Sequence, residues 1–177
     1  MASNPVIVEE TGQGTFQVRA HGQGPSFLID EPLDLGGMAS GPTPYDLLSS
    51  ALGACTVMTI RMYARRKGLP LGKVQASVVH RRDEATSRDI FERSVFLEGD
   101  LTDTQRERLL AIAEACPVSK TLHAGADIVT RMAPQAAPVV DGRPCDRTHP
   151  GAMDESCREV DPTAVAHPDA PEGMAAH

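Results

Sequence analysis

The 177-residue chain has no tryptophan, two tyrosines and four phenylalanines, and its formal net charge is −7. Nucleic-acid phosphates need a basic surface, and bases are often held on aromatic rings, so no nucleic-acid partner is expected. No uninterrupted apolar run approaches the ~18 residues of a membrane helix. The first ten residues lack the basic start and apolar stretch of a secretory signal. No membrane association and a cytoplasmic location are therefore expected. Four cysteines in the whole chain are too sparse for a disulfide scaffold. In a reducing compartment each is either buried and inert or chemically active.

What is present is unevenly placed. All six aromatic residues lie before position 97, and residues 133–177 contain no Leu, Ile or aromatic residue. That last stretch carries seven of the 14 prolines, and its eight acids and three arginines give it a net charge of −5. So little apolar surface is not expected to offset the entropy of ordering. Residues 1–132 are read as the folded domain and residues 133–177 as an acidic, Pro/Ala-rich disordered tail.

Within the domain, short strands are expected at 5–9, 15–20 and 26–30. Thr43-Pro44 followed by Asp46 has the chemistry of a helix start. Leu48, Ala51, Leu52, Cys55, Thr59 and Met62 then repeat at helical spacing. Arg61, Arg65, Arg66 and Lys67 crowd the end of this helix, where cations suit the peptide dipole, and Gly68 stops it. That basic run is read as a solvated helix end. Residues 74–80 and 90–97 read as two antiparallel strands. Thr102 with Gln105 opens a second helix, striped by Leu109, Ile112, Ala113 and Cys116 and interrupted by Pro117. A last edge strand is expected at 128–132. Strands that outnumber helices and connect by hairpins make the class α+β with antiparallel sheets.

Cys55 and Cys116 each lie on the apolar face of an expected helix, so both face the core. Packed helices would bring them within the ~4.4–6.8 Å between Cα atoms that a disulfide spans. As single residues they read equally as buried filler or as nucleophiles awaiting a nearby cation or helix end. Cys145, Cys157, His149 and His167 have no spacing typical of a zinc site, so no metal and no cofactor are expected. His21, His80 and His123 have no motif around them.

Two stretches resemble the OsmC/Ohr family. GG at 36–37, GPTPYDLL at 41–48, ALGACT at 51–56 and RMYA at 61–64 are similar to its first-cysteine helix. LEGDLT at 97–102, Ala113 and CPVSKTL at 116–122 are similar to its second-cysteine region. The resemblance covers roughly residues 15–132. It implies an OsmC-like fold with central cysteine-bearing helices, sheets outside, and an intertwined homodimer with active sites at the interface. It also implies a thiol peroxidase that reduces organic hydroperoxides, and hydrogen peroxide in addition, without metal or haem. Cys55 matches the peroxidatic cysteine and Cys116 the resolving one. A Cys55 sulfenic acid and then a Cys55–Cys116 disulfide follow, with an external dithiol as reductant. Family members pair an arginine of an N-terminal strand with a glutamate that follows the proline; here Tyr45 stands at that place, and Arg19 and Asp46 are the expected counterparts. The alternative on the same fold is a redox-responsive or small-molecule-binding protein without turnover.

Overall fold

The computed structural model describes residues 5–139 and 148–164. They divide into two compact units, one built from residues 5–48 with 127–139 and the other from residues 49–126 with 149–164. The architecture is α+β with antiparallel sheets, as the sequence led one to expect.

In the first unit, β1 (Ile7–Glu10), β2 (Val18–His21) and β3 (Phe27–Ile29) form an antiparallel sheet in that order. Asp30 follows β3 and is buried. Its carboxylate accepts bonds from Ser40 Oγ at 2.7 Å and from the backbone N–H groups of Glu31, Met38 and Ser40 at 2.9–3.2 Å. These bonds, led by the Ser40 hydroxyl, hold the carboxyl below its ordinary range and fix the loop that returns to the helix. Gly37 is required there, because a Cβ would stand 1.9 Å from the Glu31 carbonyl oxygen.

The helix α1 (Pro44–Arg66) begins in the first unit and continues in the second. Its start is a reciprocal box in which Thr43 N–H donates to Asp46 Oδ2 at 3.0 Å and Asp46 N–H to Thr43 Oγ1 at 3.2 Å. It ends at Gly68 with φ +60°, where Leu69 N–H reaches back to the Ala64 carbonyl at 2.9 Å. By length and composition alone α1 meets the requirement for a membrane span, which the search for unbroken apolar runs overlooked. In the second unit its inner face is instead covered by protein: Ile60, Tyr63 and Ala64 share a core with Leu109, Ile112 and Ala113.

In the second unit, β4 (Leu71–Arg82) and β5 (Asp89–Gly99) form a long hairpin with Val78 opposite Arg93. Asp83 shapes its turn by accepting from the N–H groups of Ala85 and Thr86. Side chains alternate along β5, so Phe91, Arg93, Val95 and Leu97 face inward together. The helix α2 (Asp103–Glu114) carries the full Thr102–Gln105 capping box. Pro117 has no N–H to continue it, and α3 (Pro117–Ala124) starts afresh with that proline at its first position and Cys116 as its cap.

Two expectations are corrected. Residues 128–132 form no strand, and Ile128, Val129 and Met132 are exposed. The tail is not structureless throughout. Residues 148–160 form the helix α4 (Thr148–Val160), with Met153, Ser156 and Cys157 buried and Ala164 in the core beyond it. Charge compensates for its scarcity of aliphatics. Asp154 pairs with Arg66, Glu159 with Lys120, and Asp161 with Lys67 at 2.9 Å, while Tyr63 donates its hydroxyl to Asp161 at 2.7 Å. The basic end of α1 is thus a docking face for α4 rather than a solvated terminus.

Candidate functional site

The second unit brings two free thiols together. Cys55, two turns before the basic end of α1, and Cys116, at the α2–α3 junction, share one apolar cluster with Leu52, walled by Val78, Phe91, Val118 and Leu122. Their exposures are 2% and 0%. Helical spacing puts Leu52, Cys55, Thr56 and Thr59 on one side of α1. The two threonines satisfy their own hydroxyls in this apolar setting by donating to the carbonyls of Leu52 and Cys55, each at 2.7 Å.

Polar groups then converge on the sulfurs. The Val118 N–H, in the first turn of α3, donates to Cys55 Sγ at 3.5 Å. His149 Nε2, from the first turn of α4, lies 3.3 Å from the same sulfur. On the other sulfur, Arg93 Nη1 lies 3.9 Å from Cys116 Sγ and Thr56 Oγ1 lies 3.8 Å from it. Arg93 is held there by bonds to Thr56 Oγ1 at 2.8 Å and the Ala113 carbonyl at 3.0 Å, and by an ion pair with Glu114 at 2.9 Å. Its side chain is 8% exposed, so its charge is little screened by water.

The two buried thiols lie in one cluster and hold their protons unequally. The neighbouring Cys55 thiol draws Cys116 below the ordinary thiol range, helped by the Ser119 N–H, the Thr56 hydroxyl and Arg93. The same pairing, and then burial, pushes Cys55 above that range. The first proton therefore leaves readily and the second is retained, because two adjacent buried thiolates repel. Cys157, buried near the Thr59 carbonyl at 3.9 Å, is pushed up to about 11 by desolvation.

The other two expected site residues, Arg19 and Asp46, belong to the first unit. Arg19 is on β2 in the first unit and donates to Ser26 Oγ at 3.5 Å. Asp46 is committed to the cap of α1, and the backbone and hydroxyl of Thr43 hold its carboxyl below the ordinary range. Among the described residues Arg19 and Asp46 form no ion pair with each other. Arg61 donates to the carbonyls of Leu71 and Gly72. Among the described residues no three His, Cys, Asp or Glu side chains are grouped to hold a metal; Cys145 and His167 lie outside the described residues. Arg93 was missed by sequence reasoning, although a signal existed: it stands in phase with the apolar side of β5.

A cavity of about 530 Å³ adjoins the cluster, and its lining mixes apolar residues such as Leu52, Phe91 and Leu122 with polar ones such as Arg93, Ser119 and His123. Neither sulfur lines it. Arg93 borders both the cavity and the Cys116 thiol.

A family model described as OsmC-like protein matches residues 37–131. No curated protein matches the chain. Among solved structures, the chain is similar to a Psychrobacter arcticus protein named for osmotic stress induction and detoxification response, at 21% identity and TM-score 0.59, over 68% of this chain and 89% of that one. An OsmC-like protein of Mycoplasma pneumoniae is similar at 18% identity and TM-score 0.56, over 70% and 88%. A Vibrio cholerae protein named for organic hydroperoxide resistance is similar at 18% identity and TM-score 0.50, over 69% and 86%. At these identities the likeness is one of fold.

Proposed function

The chain belongs to the OsmC-like family, and from that premise we propose that it is a cysteine-based thiol peroxidase acting on organic hydroperoxides. The observation that carries this reading is the pair of buried free thiols in one apolar cluster with donors aimed at both sulfurs. The Cys55 sulfur attacks the terminal oxygen of ROOH, the S–O bond forms as the O–O bond breaks, and the proton that Cys55 gives up in the step ends on the alkoxide, which leaves as ROH. The Cys116 thiolate then attacks the sulfenic sulfur and expels hydroxide, which leaves as water on protonation. An external dithiol reduces the Cys55–Cys116 disulfide and becomes a disulfide itself. The Arg93 guanidinium keeps Cys116 ionised for that second step.

The apolar residues of the cavity lining suit an organic R group, and its polar ones suit the peroxide end. A homodimer and a cytoplasmic setting belong to the same proposal. For the dimer, the support is the sheet of the second unit: among the described residues β4 and β5 pair only with each other, and a lone hairpin is marginal without further cover. A second reading, a redox-responsive protein without turnover, is favoured by the burial of both sulfurs. A steady-state assay of tert-butyl hydroperoxide consumption with a dithiol separates the two. Turnover lost in both Cys55→Ser and Cys116→Ser is expected of the peroxidase; stoichiometric oxidation without turnover in the parent protein identifies the sensor.

A further inference from the structure

We infer that His149, brought in by α4, is the proton-transfer partner of Cys55. The inference rests on the peroxidase reading for its chemistry, but its geometry stands apart from it. Four groups touch Cys55 Sγ among the described residues: the Val118 N–H, the Thr59 hydroxyl, the Cys116 thiol and His149 Nε2. The amide only donates, and Thr59 spends its proton on the Cys55 carbonyl. Cys116 must itself be a thiolate to resolve the sulfenic acid. The imidazole can accept the Cys55 proton at Nε2, 3.3 Å away, and release it again without drawing on Cys116, whose charge is needed for the resolving step.

The helix fixes that imidazole in place. His149 opens the stripe that continues through Met153, Ser156 and Cys157, spaced at four, seven and eight residues, so it shares the face on which α4 is buried. The ion pairs of Asp154, Glu159 and Asp161 with Arg66, Lys120 and Lys67 hold the helix against its neighbours. Among the described residues the other titratable group facing Cys55 is Cys116, which in turn faces Arg93 of β5.

The step balances. In the tautomer with the proton on Nδ1, Nε2 accepts the Cys55 S–H proton. The thiolate attacks the terminal oxygen of the hydroperoxide, forming S–O as O–O breaks. The imidazolium returns its proton to the departing alkoxide, leaving Cys55–SOH, ROH and neutral imidazole. Sulfur is oxidised and the peroxide reduced, with no further co-reactant.

The test uses the full chain with Cys116→Ser, so that Cys55 is read alone, with and without His149→Gln. Iodoacetamide alkylation of Cys55, located by peptide mass, and single-turnover consumption of tert-butyl hydroperoxide are both measured at neutral pH. His149→Gln is expected to slow alkylation by about tenfold and peroxide reaction by about 100-fold, the size of an acid–base contribution. Unchanged or faster alkylation of Cys55 overturns the inference. Slower alkylation in a protein whose His149-containing parent consumes no peroxide supports the His149 contact and sinks the peroxidase reading instead. Should His149→Gln not fold, imidazole nitrogen chemical shifts in Cys116→Ser decide. A His149 titration that follows the ultraviolet absorbance of the Cys55 thiolate supports the partnership, and one indifferent to Cys55 ionisation overturns it.

Discussion

Cys55 and Cys116 are equally buried, yet the regions that hold them treat a proton in opposite ways. Cys55 sits in mid-helix, where the peptide groups of α1 are already bonded to one another and offer nothing to an anion. Cys116 sits at a chain break, where the opening of α3 turns the Ser119 N–H toward the sulfur and β5 supplies the guanidinium of Arg93. Burial alone would raise both thiols. What separates them is first their effect on each other, since only one of two adjacent buried thiols ionises readily, and then the donors around Cys116, where Ser119 N–H, the Thr56 hydroxyl and Arg93 decide which one it is. Pro117 sets this difference by ending α2 and starting α3 immediately after Cys116.

The contrast is broken most severely by removing one thiol. Cys116→Ser is expected to abolish steady-state turnover and leave the oxidised protein as a sulfenic acid on Cys55, trapped with a dimedone probe and located by mass spectrometry. Trapping mainly on Cys145 or Cys157 would contradict the assignment. Next in size is the loss of α4. Ending the chain at residue 147 removes Met153, Cys157 and Ala164 from the core, together with the ion pairs of Asp154, Glu159 and Asp161. A loss of several kcal/mol is expected from that apolar burial alone, read as a fall of ten degrees or more, roughly, in melting temperature. An unchanged melting temperature would show that α4 does not pack.

A smaller change sharpens the contrast at its charged end. Arg93→Ala removes the cation at Cys116 and is expected to move the midpoint of its alkylation upward by about one pH unit, while leaving Cys55 the less readily ionised thiol. Arg19→Ala, whose described bond goes to Ser26, is expected to leave that midpoint in place. A shift with Arg19→Ala and none with Arg93→Ala would transfer the activating role to the N-terminal strand.

The smallest effect is on stability against pH. The folded pKa of Cys116 lies below that of a free thiol, so on the acid side of the ordinary value of 9.0 the unfolded chain binds more protons, and stability rises with pH there and is lost as pH falls through the lowered value. Cys55 has the opposite sign: its folded pKa is raised, so above 9.0 the unfolded chain ionises first and stability declines. Chemical denaturation of the parent protein and Cys116→Ser at a series of pH values should show the rising limb only in the parent.

Much of this arrangement is legible in the sequence, because it depends on local rules. The helical spacing of Leu52, Cys55 and Thr59, both capping boxes, the stop at Gly68 and the break at Pro117 are written within a few residues of where they act. Arg93 was legible in principle, since period-two alternation sets it among Phe91, Val95 and Leu97. The helix α4 was not. Its stability comes from pairing Asp154, Glu159 and Asp161 with cations 39 to 94 residues earlier in the chain, and no local pattern shows such a match. The opposite error at 128–132 has the same root: Ile128, Val129 and Thr130 have strand propensity but no strand to pair with.

The central claim is that Cys55 and Cys116 form one redox pair driven by hydroperoxide. The most direct measurement adds one equivalent of tert-butyl hydroperoxide to the reduced full-length protein and maps its disulfides by mass spectrometry while peroxide loss is followed. The account predicts one Cys55–Cys116 disulfide for each peroxide consumed, reversed by a dithiol. Peroxide left unconsumed, or consumed with the disulfide joining Cys145 or Cys157 instead, would contradict it.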